Sequence, residues 1–150
     1  MPRARAAAVA AVLALTSGCG DGKADGRAAV VIDTGERTVT VRAEVADTPG
    51  ERARGLMGRE TLPRDAGMVF TYERETTGGY WMKNTLIPLS IAFYGGDGEI
   101  LRILDLKPCR GDPCPVYDPG VSYRGALEVN AGAFARLGVE EGDTLRVDVP

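Results

Sequence analysis

The stretch ERTVTVRAEVAD, residues 36–47, alternates apolar and polar residues, and this alternation decides the class of fold. Successive side chains of a β-strand point to opposite faces, so a period of two predicts a strand with one buried face. The preceding segment AVVID, residues 29–33, is typical of a neighbouring strand. The apolar positions of the longer segment are Val39, Val41, Ala43 and Val45.

The next segment, TPGERARGLMGRE (48–60), begins with a helix start signal. Thr48 suits the N-cap, Pro49 suits the first helical position, and Glu51 lies three residues after the cap, which together make a capping box. We expect a short helix that runs to about Arg59. Its predicted inward stripe comprises Ala53, Leu56 and Met57.

The rest of the chain predicts more strands, separated by turns. The segment PLSIAFYGGDGEILRILDLK (88–107) indicates two strands joined by a glycine-rich turn, Gly95–Gly98. Asn130 is expected to cap a second helix that stops at Gly138. We therefore predict a mainly β, single-domain, antiparallel β-sandwich or barrel-like fold with two short helices. The other predicted strands are AGMVFTY (66–72), GGYWMKN (78–84), YRGALEV (123–129) and DTLRVDV (143–149).

The first 20 residues, MPRARAAAVAAVLALTSGCG, have the layout of a secretory signal. Arg3 and Arg5 precede an apolar run, and small residues lead from it to Cys19. The run is shorter than the roughly 20 residues that span a bilayer. We expect a signal peptide at 1–18, a flexible Gly-rich tether at 19–28 and a β domain at 29–150.

The motif LTSGC (15–19) resembles the lipobox of bacterial lipoproteins, in which the cysteine after the cleavage site carries lipid. Thr16 departs from the usual aliphatic residue there. We expect Cys19 to be lipidated and the protein to lie in the cell envelope, anchored to the outer face of a bacterial membrane or secreted. The alternative is ordinary cleavage that leaves Cys19 as a free thiol.

Charge and histidine content exclude several classes of function. The net charge is −3 for the whole chain, and loss of residues 1–18 removes two arginines and no acids, which makes it −5. This balance argues against nucleic acid as a partner. The absence of histidine excludes Ser-His-Asp and Cys-His catalysis and imidazole metal sites. We expect a monomer with no metal and no cofactor.

Two further cysteines, Cys109 and Cys114, lie in the Pro/Gly-rich segment KPCRGDPCPVYDPG (107–120). In an oxidising compartment this spacing favours a local disulfide. A zinc site would require more ligands than the loop offers, and a redox pair more often has the spacing C-x-x-C.

Four blocks of the chain resemble a bacterial and archaeal family known as domain of unknown function 192, and the similarity covers Val30 to Val149. The resemblance implies a compact β-sandwich-like fold that is often exported, and it implies no established activity. Ser90 departs from the family, which more often has aspartate at this position. The blocks are RARGLMGRE (52–60), AGMVF (66–70), YWMKNTLIPLSIAF (80–93) and ALEVNAGAFARLGVEEGD (126–143).

The block around Trp81 also raises a question about Lys83, which shares a strand face with the tryptophan if 78–84 is a strand. If Trp81 packs inward, the lysine needs an acid partner, because an unpaired buried charge costs several kcal/mol. Glu128 is the candidate, because it lies opposite to the face of Leu127 and Val129. One interpretation is an ion pair that closes one end of the sandwich.

The other interpretation is a ligand-binding pocket at that end of the sheet. Arg54, Lys83 and Asn84 would donate hydrogen bonds to an anionic or carbonyl-bearing ligand, and Trp81 would form an apolar wall. The predicted site residues are Arg54, Trp81, Lys83, Asn84, Glu128 and Asn130.

Three hypotheses for function follow from these residues. The first is an envelope-anchored domain that binds a small anionic or polar ligand or an envelope partner. The second is an enzyme in which Lys83 works with a carboxylate, Glu128 or Asp105, in acid–base chemistry on an envelope substrate. The third is a structural accessory lipoprotein without a small-molecule site.

Overall fold

The computed structural model describes residues 26–149, and the fold is mainly β, as the sequence predicts. The signal peptide, Cys19 and most of the tether lie outside the described residues. Arg27 and Ala28, expected in the tether, already belong to the first strand. The elements are β1 (Arg27–Asp33), β2 (Thr38–Ala46), α1 (Pro49–Arg54), β3 (Ala66–Thr76), β4 (Tyr80–Trp81), β5 (Leu89–Tyr94), β6 (Ile100–Leu106), β7 (Val116–Tyr117), β8 (Tyr123–Asn130), α2 (Ala133–Leu137) and β9 (Thr144–Asp148).

Seven strands form one sheet in the order β6-β5-β8-β3-β2-β1-β9, and β4 pairs with β7 in a small second sheet. All neighbours are antiparallel except β2 and β3, which are parallel because the connection through α1 crosses over. A bridge between Glu99 and Thr144 brings the two edges of the large sheet together. The N–H of Ile100 donates to Asp143 at 2.7 Å across the same junction. The sheet is therefore curled.

An apolar cluster lies on each face of this curled sheet, although the outer face is exposed along much of β2 and β9. The inner core lies inside the curl and is completed by α2. It includes Val30, Ile32, Val41, Val69, Leu127, Val129 and Phe134. The outer core lies on the opposite face. It includes Leu56, Met68, Phe70, Met82, Ile91, Phe93 and Tyr123.

The helix α1 begins as predicted and ends earlier. Both hydrogen bonds of the capping box between Thr48 and Glu51 are present. The helix stops at Arg54 because Gly55 adopts a φ of +48°, and the Gly55 N–H donates back to Glu51 at 2.8 Å. The predicted extension to Arg59 is therefore wrong.

The early stop also changes the predicted inward stripe. Leu56 is buried in the outer core, whereas Ala53 is exposed and Met57 is partly buried. Leu56 follows the end of the helix, so helical periodicity does not govern where its side chain points.

Helix α2 ends at Gly138 as predicted, but Asn130 does not cap it. Its N-cap is Gly132, which has no side chain with which to cap the helix. The Asn130 amide instead donates to the carbonyls of Leu62 at 2.9 Å and Pro63 at 3.2 Å. Asn130 therefore fastens the segment before β3 to the end of β8.

The strand predicted over 78–84 is also shorter than expected. Strand β4 contains only Tyr80 and Trp81, and a turn follows in which Asn84 has a φ of 57°. Asparagine tolerates this left-handed conformation better than most residues. Trp81 is 51% exposed while Met82 is buried, so Trp81 does not pack inward.

Neither described helix has the length or apolar character needed to cross a membrane. Between residues 26 and 149, no cluster of three or more Cys, Asp or Glu side chains is arranged to hold a metal ion.

Candidate functional site

A cavity of about 250 Å³ opens on the outer-core side of the sheet, between α1 and β4. Strand β3 contributes aromatic side chains to its walls, and β8 contributes a carboxyl group. The residues that give the cavity its chemistry are Arg54, Phe70, Tyr72, Tyr80, Trp81 and Glu128.

Glu128 is the buried acid of this cavity. It lies on the interior strand β8, level with Met68 on β3 and Ile91 on β5, and only 5% of the residue is exposed. Within residues 26–149 its carboxyl group forms no hydrogen bond or ion pair. Every fully enclosed side-chain oxygen in that range has a hydrogen-bond partner. Because the Glu128 oxygens have none, they are not fully enclosed, and they reach the cavity that Glu128 lines.

Burial raises the pKa of the Glu128 carboxyl from 4.5 to about 8. The physical cause is loss of hydration, which disfavours the charged form when no neighbour compensates for it. The Glu128 carboxyl is therefore mostly protonated near neutral pH and can donate as well as accept a hydrogen bond.

Aromatic rings line the same cavity as this acid. The Tyr80 ring meets Phe70 edge to face with centroids 5.1 Å apart, and the hydroxyls of Tyr72 and Tyr80 lie 3.0 Å apart. Burial raises the pKa of Tyr80, so its hydroxyl is neutral. The half-exposed indole of Trp81 lines the same cavity.

The two arginines of α1 that line the cavity differ in what they bind. Arg52 donates to the carbonyls of Asp47 and Thr71, the latter at 2.9 Å, and its guanidinium lies 4.7 Å from the Tyr72 ring centroid. Arg54 is exposed, and its guanidinium makes no hydrogen bond or ion pair in the described part of the chain. Arg52 therefore holds the helix against β3, while Arg54 is available to a ligand.

The third arginine of the block, Arg59, lies outside the cavity lining and has a structural role. It forms two hydrogen bonds with Glu44, of 2.6 and 2.5 Å. These bonds lower the pKa of the Glu44 carboxyl. The pair joins the segment after α1 to strand β2.

Of the six predicted site residues, the structure brings together Arg54, Trp81 and Glu128. Lys83 and Asn84 line a separate recess of about 160 Å³ beside the cysteine loop. The Asn130 amide is already hydrogen-bonded to carbonyls of the segment before β3.

The predicted ion pair between Lys83 and Glu128 is wrong. Lys83 Nζ lies 3.3 Å from Asp112 and 5.7 Å from the centroid of the Trp81 ring. Lys83 stays on the same side as Trp81, but that side faces outward, so the lysine is partly exposed and pairs with Asp112 rather than with the buried Glu128.

Cys109 and Cys114 form the predicted local disulfide, with an S–S distance of 2.14 Å. The loop that this disulfide closes carries Asp112, the partner of Lys83. Asp105, the other candidate acid, accepts a hydrogen bond from Ser90 at 2.6 Å and is not among the residues that line the cavity.

Sequence reasoning missed Phe70, Tyr72 and Tyr80 as members of the site. The pattern YWM at 80–82 offers two alternating faces, one with Trp81 and one with Tyr80 and Met82. The second face is the inward one, with Met82 buried in the outer core. Placing the smaller aromatic inside would have identified Tyr80.

The profile of the DUF192 family, described as "Uncharacterized ACR", matches residues 30–147. The chain belongs to the DUF192 family. A similar crystal structure is that of a "putative transcription regulator" from Sinorhizobium meliloti 1021, with a TM-score of 0.75 and 34% identity, covering 81% of this chain and 93% of that one.

A second similar crystal structure is that of a protein of unknown function from Novosphingobium aromaticivorans DSM 12444. It has a TM-score of 0.74 and 31% identity, and the match covers 80% of this chain and 84% of that one. No curated protein matches the chain. Membership in DUF192 thus agrees with the observed fold and assigns no activity.

Proposed function

We propose that this DUF192 protein is a small-molecule-binding domain whose ligand occupies the cavity at Glu128. The observation that carries the proposal is a carboxyl group that is buried, lacks a partner in the described residues and reaches a cavity. A buried polar group without a partner costs about 1–3 kcal/mol. An apolar side chain at this position would avoid that cost, and a ligand would supply the missing partner.

The size and lining of the cavity point to a small, polar ligand. Its volume of about 250 Å³ lies just below the usual range of roughly 300–1,000 Å³ for ligand pockets. Trp81 offers an apolar wall, Glu128 a hydrogen-bonding group inside, and Arg54 a positive charge at the exposed edge. This combination of one broad apolar surface with few polar groups is typical of specific small-molecule sites.

A compound screen on the purified protein tests this proposal. Ligands that bind the folded state raise its stability, by about 2.7 kcal/mol at a concentration of 100 times Kd. We expect hits whose stabilising effect is lost in Trp81→Ala and Glu128→Gln and is retained in Glu73→Gln, an exposed matched control on β3. Hits that stabilise all of these variants equally would contradict the proposal.

The enzyme hypothesis built on Lys83 and Glu128 has no support in this geometry, because the two residues line different cavities. We also do not extend transcription regulation from the Sinorhizobium relative to this chain. A net charge of −5 without residues 1–18 opposes binding to nucleic acid.

We further propose that the domain acts in the cell envelope, exported through residues 1–18 and lipidated at Cys19. The layout of charged, apolar and small residues before Cys19 supports export. A disulfide between Cys109 and Cys114 suits an oxidising compartment. Intact mass of the protein purified from membranes should show a chain that begins at Cys19 with added acyl groups. A chain that begins elsewhere, or without acyl groups, would refute lipidation.

A further inference from the structure

We infer that the ligand of this cavity is a zwitterion, with an ammonium group held inside against Glu128 and an acidic group held at the mouth by Arg54. This inference rests on the proposed function, and it names the chemical class of the ligand. It follows from how the charges of the cavity are distributed and from which of them already have partners.

Within residues 26–149, no cationic side chain pairs with the acid inside the cavity. Glu128 is the only acidic side chain among the described residues that line it. Arg52 donates hydrogen bonds to two carbonyls and lies over the Tyr72 ring. Lys83 pairs with Asp112 outside this cavity. A positive charge that pairs with Glu128 would therefore come from the ligand.

The walls around Glu128 also suit an ammonium group. Phe70, Tyr72, Tyr80 and Trp81 all line the cavity, and the faces of aromatic rings attract cations. The same preference is visible within the protein, where the guanidinium of Arg52 lies over Tyr72. An anion placed among these rings would gain nothing comparable and would face the carboxyl group.

The mouth of the cavity has the opposite charge. Arg54 is exposed and has no partner in residues 26–149, and Arg52 adds a second positive charge on the same helix. Guanidinium binds carboxylate and phosphate groups in a bidentate manner. A simple amine would be repelled at this mouth, and a simple anion would meet no cation inside. A molecule with both charges satisfies both ends.

Occupancy by an ammonium group also predicts the direction of the pH dependence. The charged or titratable groups that share the cavity with Glu128 are Tyr72 on β3, Tyr80 on β4, and Arg52 and Arg54 on α1. Burial keeps Tyr80 neutral and the arginines stay charged, so Glu128 is the group that changes. An ammonium binds the ionised carboxyl, so affinity should rise with pH toward about 8.

The test uses probes that differ only in the charged atom. Glycine betaine and phosphocholine are zwitterions, and 3,3-dimethylbutanoate and 3,3-dimethylbutyl phosphate are their isosteres in which carbon replaces the ammonium nitrogen. Choline supplies the cation without the acid. Affinities for the purified protein are measured by NMR titration at several pH values.

We expect at least one zwitterion to bind roughly tenfold or more tightly than its carbon isostere and than choline. Glu128→Gln should abolish the preference over the isostere, and Arg54→Met should abolish the preference over choline. Arg64→Met, an exposed arginine away from this cavity, should change neither.

The inference is overturned if the carbon isosteres bind as tightly as the zwitterions, or if affinity falls as the pH rises toward 8. It is also overturned if the compound screen gives cavity ligands and none of them carries an ammonium group; the proposed function then stands. If no compound from the screen and no probe binds in the cavity, both proposals fail.

Discussion

Lys83 Nζ lies 3.3 Å from a carboxylate oxygen of Asp112, and this pair joins the turn after β4 to the disulfide-closed loop. The two side chains are 40% and 69% exposed, so water screens their attraction. Glu128, buried in the neighbouring cavity, has no such partner within residues 26–149. The fold thus pairs an exposed acid with the lysine and leaves a buried acid unpaired.

The exposure of this pair predicts a small effect of Lys83 on stability. Lys83→Met should change the free energy of unfolding by less than about 1 kcal/mol, because exposed ion pairs contribute little. Urea denaturation of Lys83→Met, Asp112→Asn and the double variant measures the coupling. A loss of about 3 kcal/mol or more in Lys83→Met would indicate a buried ion pair and would contradict the observed contact.

The raised pKa of Glu128 predicts that stability falls as the pH rises. The folded protein keeps the carboxyl proton up to about pH 8, whereas the unfolded chain loses it near 4.5. The loss in free energy of unfolding caused by Glu128 is therefore absent below about pH 4.5. It grows between pH 4.5 and 8, by at most about 1.4 kcal/mol per pH unit.

Urea denaturation at about pH 5, 6.5 and 8 measures this loss. Glu128→Gln should flatten the dependence, and Glu73→Gln on the exposed part of β3 should leave it as in the parent protein. Parallel pH profiles for the parent and Glu128→Gln would show that Glu128 titrates normally in the fold.

Gly125 on β8 is predicted to be intolerant of any side chain. A Cβ atom there would overlap the Tyr94 ring and lie 2.6 Å from the carbonyl oxygen of Phe70. Gly125→Ala should therefore cost about 2 kcal/mol or more. Gly96→Ala is the control, because a Cβ in that turn meets nothing within 4 Å. Equal stabilities of the two variants in thermal unfolding would disprove the close packing.

The capping box predicts a measurable role for Thr48. Thr48→Ala removes the side-chain acceptor for the Glu51 N–H and should destabilise the fold by about 1 kcal/mol. Because α1 carries Arg54, the variant should also loosen one wall of the cavity. Thr61→Ala, at an exposed position outside the helices and strands, serves as the control in the same denaturation experiment. An unchanged free energy of unfolding in Thr48→Ala would mean that the cap contributes nothing.

Much of the fold was predictable, because its signals are local. The alternation at 36–47 predicts one strand, and the glycines at 95–98 predict one turn. The capping box predicts a helix start from residues 48–51 alone. Strand β2, the hairpin of β5 and β6, and the start of α1 are therefore found where the sequence places them. The fold class and the disulfide follow from such patterns as well.

The site was only half predictable, because it depends on contacts between distant segments. Alternation separates Glu128 from Leu127 and Val129, but strand β8 is covered on both faces, so alternation does not reveal that Glu128 is buried too. The end of β4 at Trp81 and the turn at Asn84 direct Lys83 to Asp112, 29 residues away in the sequence. The chain's own pattern determined which residues share a strand face. Only tertiary packing decided which face is covered, and hence which acid is left without a partner, because burial depends on what the rest of the chain places over that face.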